Sequence, residues 1–288
     1  MPAAHAHRYL VVDVFTATPL EGNALGVFPD ADDFPAREMQ RMARELNLSE
    51  TVFVLAPEQG GDARVRIFTP AVELAFAGHP LLGTAVVLGR EWGVAELTLE
   101  TGAGPVALRL QGGGDRAGAY VASGTMGQPI PTWRPYERAA QALAAVGVER
   151  SGLPVEIYDN GAVYVYVELE DEAAVTALAP DMRALAALGP LGVVCFAGAS
   201  GRWRARMFAP AQGVPEDPAT GSAAGPLGVH LARHGRSAFG EQVEIHQGAE
   251  IARPSLLLAR VLGSSERIER VEVGGSAAIV AQGEFLLA

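Results

Sequence analysis

Two stretches of this chain set glycine and small residues beside ionisable side chains at what reads as the start of a helix. In the first, Glu73 leads into Gly78-His79-Pro80. In the second, Glu216-Asp217-Pro218 leads into Thr220-Gly221-Ser222-Ala223. A helix start offers unpaired N–H groups and the positive end of a dipole, so it can hold a carboxylate without a basic side chain. His79, Asp217 and Ser222 add groups that accept or donate protons beside that anion. Each also has a plainer reading. The glycines permit tight packing, Asp217 is extended before a proline and suits a helix cap, and His79 and Ser222 suit the same duty. Glu45 closes a separate amphipathic helix, where a carboxylate opposes the dipole. On spacing alone it reads as surface decoration, and Glu38 and Glu50 read the same way.

The elements that must position these groups repeat. Arg64-Val-Arg66-Ile-Phe68-Thr-Pro70-Ala71 returns 140 residues later as Arg204-Ala-Arg206-Met-Phe208-Ala-Pro210-Ala211, identical at five of eight positions. So long a period is not a solenoid. It predicts two related half-domains facing each other, with the ligand site in the cleft between them. The segments that follow, His79–Gly89 and Ser222–His234, are small and apolar nearly all round and so belong inside. Pro80 and Pro226 fall near their first turns, where a missing N–H costs little, and Gly89 and Gly235 suit their ends. Pro35–Asn47 sets Met39, Met42, Ala43 and Leu46 on one stripe; Arg138–Val146 and Asp181–Leu188 are further helices. Strand-like runs bounded by Gly, Pro or Asn-Gly fill most of the remainder.

The fold expected is α+β, two similar half-domains, each a mostly antiparallel, barrel-like sheet wrapped around a buried central helix. The halves are placed at 1–122, joined by a C-terminal strand over 280–288, and at 123–279, with Ser123–Pro135 as the crossing.

Composition narrows the chemistry. A formal charge of −11 repels nucleic acid and anionic membranes. All 22 basic residues are Arg, and the absence of Lys removes P-loop, Schiff-base and enamine chemistry. A lone Cys195 removes disulfides, cysteine-only metal sites and any two-thiol acid/base pair; inside an apolar run it reads as core filler. No stretch of about 18 apolar residues spans a membrane and the N-terminus lacks a signal region, so a soluble, cytoplasmic protein is expected. His230 and His234 stand one turn apart without the Glu of a zincin, so no metal is expected. His5 and His7 fall in a terminal tail. Gly102-Ala-Gly104 and Gly112-Gly-Gly114 read as hairpin turns.

At its motifs the chain resembles the phenazine-biosynthesis PhzF-like family, which shares the diaminopimelate epimerase-like fold. The strings are Val12-Asp13-Val14-Phe15 with Gly22-Asn23, Met42 through Thr51, Phe68-Thr69-Pro70 through His79-Pro80, Glu216 through Gly225, and Gln247-Gly248 with Arg253-Pro254-Ser255. Ala75, where the family usually has proline, and Leu81 depart mildly. The resemblance implies a cofactor-independent isomerase of trans-2,3-dihydro-3-hydroxyanthranilate type, a homodimer, acting on a small carboxylate-bearing substrate. It implies Glu45 as the acid/base, His79 and Asp217 flanking the ring, and Gly78, Gly221, Ser222 and Ala223 around the carboxylate. Where the two-cysteine epimerases of this fold carry Cys-Gly, this chain has Ala77-Gly78 and Thr220-Gly221. Two other readings stay open: an epimerase or racemase using Glu45 and Asp217 as paired carboxylates, and a non-catalytic binding protein.

Overall fold

Runs of β-branched and aromatic residues make strands, and the small apolar segments after each repeat make helices. The computed structural model describes residues 5–116 and 118–287. In chain order it has β1 (His5–Val14), β2 (Asn23–Phe28), α1 (Ala36–Leu46), β3 (Glu50–Leu55), β4 (Ala63–Phe68), β5 (Glu73–Leu74), α2 (Gly78–Trp92), β6 (Glu96–Thr101), β7 (Gly104–Arg116) and β8 (Ala119–Gln128). There follow β9 (Thr132–Pro135), α3 (Ala139–Val146), β10 (Glu156–Asp159), β11 (Val163–Glu168), α4 (Glu172–Thr176) and α5 (Met182–Ala186). The last elements are β12 (Gly192–Ala199), β13 (Arg202–Ala209), β14 (Val214–Asp217), α6 (Gly221–Arg233), β15 (Gln242–Gln247), β16 (Ser255–Gly263) and β17 (Ile268–Leu287).

Contacts divide the chain into two units, Met1–Met126 with Gly274–Ala288, and Gly127–Val273. In the first, β2 and β3 run parallel, β4 is antiparallel to β3, β5 is antiparallel to β4, β6 is parallel to β4, and β7 is antiparallel to β6. The second unit repeats these pairings in order with β11 to β16. The repeated string supplies β4 and β13, and its side chains do the same work twice. Residues two apart share a face of a strand, so Arg66 lies over the Phe68 ring (5.3 Å) and Arg206 over Phe208 (5.0 Å). Arg66 grips both oxygens of Glu73, and Arg206 both oxygens of Glu216.

α2 is buried from Gly78 to Gly89, and α6 from Gly221 to Ala232. In α2, Leu81, Leu82, Val86, Val87 and Leu88 have no exposed surface, each contributing about 1.5–3 kcal/mol by leaving water. Sheet and helix approach closely because Gly83 has no side chain: a Cβ there would stand 2.6 Å from Leu25. Beside this helix, Phe28 and Phe53 stack at 4.8 Å in a separate aromatic core shared with Met39, Met42 and Phe68.

Several local expectations need correction. His5 and His7 lie in β1, paired with the end of β17, and His7 packs on Phe34 at 4.4 Å. Ala288, the last residue of the expected C-terminal strand, lies outside the described residues. The chain passes between the units at Met126 and Gly127, inside the expected crossing Ser123–Pro135, but Ser123–Gln128 of that crossing belongs to strand β8. Gly112–Gly114 sits inside β7 as a bulge, while Gly102-Ala103 is the hairpin turn between β6 and β7. Gly93, at φ +70°, ends α2; Gly89 lies within the helix, where a Cβ would stand 2.2 Å from Leu110. β5, β14 and α4 are too short to carry a periodic signal.

Pro226 lies well inside α6. Its missing N–H would have bonded to the carbonyl of Ser222, four residues back. The Nδ2 of Asn160 donates to that carbonyl instead, at 2.9 Å. Asn160→Ala should therefore destabilise the protein by about 1–3 kcal/mol, the cost of a buried acceptor left unpaired. In a Pro226→Ala background, where a backbone donor returns, the same change should cost clearly less. Urea denaturation of the four proteins tests this; equal costs in both backgrounds would refute it.

Candidate active site

Both buried helices start without a side-chain cap. Ala77, extended at φ −153°, precedes α2 and offers none. Thr220, which precedes α6, could cap it but turns its hydroxyl to donate to Oδ2 of Asp217. Gly78 and His79 are the first two residues of α2, and Gly221 and Ser222 the first two of α6. All four are buried, and the first N–H groups of any helix have no acceptor within it. One expected contributor drops out: the N–H of Ala223 already donates to the carbonyl of Thr220 at 3.0 Å. Within this turn, the N–H groups of Gly221 and Ser222 are left without an acceptor inside the helix.

In the second unit a collar of side chains fixes this helix start. Gln128 donates to the carbonyl of Gly221 (2.9 Å), Asn160 to that of Ser222 and Tyr166 to that of Ala223 (2.8 Å). The Tyr164 hydroxyl lies 2.6 Å from the Ser222 hydroxyl, so Ser222 is oriented by a buried partner and is not a cap. Asp217 ends β14 and is 8% exposed. Gln247 ties Asp217 to the helix, donating to its carbonyl (2.8 Å) and to the Thr220 hydroxyl (3.0 Å). Gly248, at φ +82°, lets this segment approach: a Cβ there would stand 2.5 Å from the carbonyl of Pro218. Sequence reasoning placed Gln247 and Gly248 in a motif without a role, and missed Gln128, Asn160, Tyr164 and Tyr166. Tyr164 and Tyr166 alternate along β11, a signal that they share a face.

In the first unit, His79 is buried with its Nε2 2.9 Å from Oε2 of Glu50 and its Nδ1 3.4 Å from Nδ2 of Asn23. Glu50 is thus no surface carboxylate. Glu45 lies exposed on α1, next to the buried face made by Met39, Met42 and Ala43. Neither repeat arginine facing these segments is available to a ligand, since Arg66 and Arg206 are bound to Glu73 and Glu216. Cys195 is wholly buried in β12, and burial, against the pull of Arg206, pushes its thiol up to about 12.

His230 and His234 do have a third neighbour. Oε2 of Glu156 lies 3.3 Å from Nδ1 of His230 and 3.0 Å from Nε2 of His234, a set able to hold a metal. The guanidinium of Arg233 stands 2.8 Å from the same oxygen, and the Tyr158 hydroxyl donates to it at 2.9 Å. A cation already sits where a metal would, so this donor set suits a satisfied carboxylate. Burial alone would raise Glu156, but bonds from His230, Arg233, His234 and Tyr158 outweigh it and hold the carboxyl well below its usual range. Burial lowers His230, partly offset by Glu156.

The pairings and twin buried helices define an α+β protein of the diaminopimelate epimerase-like fold. A family model described as phenazine biosynthesis-like protein, PhzC-PhzF, matches residues 12–283. A trans-2,3-dihydro-3-hydroxyanthranilate isomerase of Pseudomonas aeruginosa is 54% identical, across 98% of this chain and 100% of that protein. A PhzF-family phenazine biosynthesis protein from Bacillus anthracis superposes with a TM-score of 0.84 at 26% identity, covering 98% of this chain and 100% of that one. A predicted epimerase from Pseudomonas aeruginosa gives 0.82 at 33% identity, with the same coverage of both chains. The chain belongs to the phenazine biosynthesis-like, or PhzF, family.

The Glu156 cluster makes the protein acid-sensitive in a defined order. His230 is lowered in the fold, so the unfolded chain takes up its proton first and stability falls as pH drops below about 6.5. Glu156 is also lowered, so its contribution, full above the unfolded value of about 4.3, is lost as pH falls below it. Denaturation midpoints followed from about pH 7.5 to about pH 4 should show both losses. His230→Gln, which cannot titrate, should abolish the first and keep the second.

Proposed function

We propose that this chain is an isomerase of trans-2,3-dihydro-3-hydroxyanthranilate, moving a proton between two ring carbons without metal or cofactor. The observation that carries the reading is the 54% identity, end to end, with a relative of that name. In this reading Glu45 takes the proton from one carbon as the C–H electron pair shifts into the ring. It then returns the proton to another carbon, so no atom or electron is gained or lost. Asp217 and His79 flank the ring and hold its amino and hydroxyl groups, and Gly78 lends its place at the start of α2. The substrate carboxylate rests on the N–H groups of Gly221 and Ser222 and on the Ser222 hydroxyl. These are fixed dipoles that need no reorganisation as charge develops. Two observations support that choice: the repeat arginines are tied to acids, and no lysine exists.

The proposal extends to a cytoplasmic homodimer, on the family resemblance. A second reading, proton exchange at a stereocentre by Glu45 and Asp217, draws on the similarity to a predicted epimerase. Deuterium uptake coupled to inversion of a chiral centre would select it, whereas isomerisation without inversion selects the first.

Glu45→Gln keeps size and hydrogen bonding but cannot accept a proton at neutral pH. It should lower turnover of dihydro-hydroxyanthranilate at least about a hundredfold while leaving ligand binding nearly intact. Steady-state kinetics with proton/deuteron exchange by NMR checks this, and exchange at the parent rate would remove Glu45 from the mechanism. Ser222→Ala should weaken binding by roughly 1–3 kcal/mol, read by calorimetry. Turnover should persist in chelator; zinc and activity lost together on dialysis would overturn the cofactor-free reading.

A further inference from the structure

The side chains of Gln247, Thr220 and Asp217, all buried, form a chain of hydrogen bonds whose direction is fixed by their chemistry. The Nε2 of Gln247 lies 3.0 Å from Oγ1 of Thr220 and 2.8 Å from the carbonyl of Asp217. Its Oε1 accepts from the N–H of Thr220 at 3.4 Å. Turned over, the amide would set oxygen against the Asp217 carbonyl and nitrogen against the Thr220 N–H, so one orientation fits. A carboxamide nitrogen carries only hydrogens and must donate, so Oγ1 of Thr220 accepts. A hydroxyl has one proton to give, and that of Thr220 goes to Oδ2 of Asp217.

Sheet register places both ends of this chain. Along β13, Ala205 stands opposite Gln247 of β15, and Met207, two residues on, stands opposite Asp217 of β14. The middle link is the one with a choice. Thr220 occupies the cap position of α6, where a threonine hydroxyl ordinarily accepts from the N–H groups of the first turn. It makes no such bond. The amide supplies the reason: with Nε2–H directed at Oγ1, the hydroxyl is held toward Gln247 and its proton toward Asp217. Each donor in such a series also polarises the next, which strengthens the grip on the carboxylate.

We infer that Gln247 is a positioning residue for the isomerase reaction: through the Thr220 hydroxyl it holds the Asp217 carboxylate in one orientation. The inference deepens the reading above and rests on Asp217 touching the substrate. A reacting or binding group displaced by about 1 Å can cost roughly a hundredfold in turnover. A residue that acts through a second one loses its effect when the second is removed.

The experiment has two arms. Three-bond NMR couplings across χ1 of Thr220 read its rotamer without any substrate. The parent protein should show a single rotamer. Gln247→Met, which keeps the length of the side chain but has no donor, should show averaging or the capping rotamer. An unchanged Thr220 rotamer in Gln247→Met overturns the proposal. In the kinetic arm, Gln247→Met should lower kcat roughly 10- to 100-fold with KM within about fivefold. Thr220→Val, which interrupts the chain without touching Gln247, should reproduce that loss, and Thr220→Ser, which keeps the hydroxyl, should recover most of it. Adding Gln247→Met to Thr220→Val should cost nothing further. Parent turnover in Gln247→Met, or full additivity with Thr220→Val, overturns the positioning role. Should Gln247→Met fail to fold, Thr220→Val against Thr220→Ser decides in its place, and equal turnover of the two overturns the role. If the parent protein leaves dihydro-hydroxyanthranilate unchanged, the isomerase reading fails, and the coupling arm alone upholds or overturns the hold of Gln247 on Thr220.

Discussion

A helix enclosed on every side must still find partners for its end groups, and this requirement shapes both units. At α6 the carbonyls of three successive residues are met by Gln128 at the end of β8, Asn160 in the turn after β10 and Tyr166 in β11. The donors of the first turn are left without a side-chain cap because Thr220 bonds to Asp217 instead. The outcome is asymmetric: these acceptors are satisfied by protein side chains, while the leading donors have no acceptor within the helix.

The same asymmetry answers the problem posed by charge. A protein of net charge −11 repels anions, so the carboxylate substrate proposed above needs a local field against the protein's own. Arginine is the ready candidate, and each repeat supplies one beside the helix start. The structure uses both for another purpose, pinning Glu73 and Glu216 while lying over Phe68 and Phe208. The short acid-containing strand before each helix, β5 or β14, is thereby held to β4 or β13. Positive potential at the helix starts then comes from backbone dipoles, which cannot swing away as a side chain can.

Much of this was legible in the sequence. The repeat at an offset of 140 announced two units of like topology, and the apolar, small-residue runs announced buried helices, because both signals extend over many residues. What escaped was short or non-local. β5 and β14 span two and four residues, below any periodicity. The pairing of Glu50 with His79 joins groups 29 positions apart and depends on which way a strand begins. Asn160 compensating for Pro226 is likewise a pairing across the fold, invisible to a local rule that treats an early proline as harmless. Glu45 shows the reverse case: nothing in its spacing or its exposed position marks it, and only family likeness singles it out.

The fate of the single thiol has a practical side. Cys195 sits wholly inside the second unit, and the thiolate that would react with an alkylating reagent is suppressed by burial. Labelling it requires that unit to open. The chain thus carries a built-in reporter for one half of the molecule, blind to fraying in the other, and the rate at which it is modified measures how often that core is exposed to solvent.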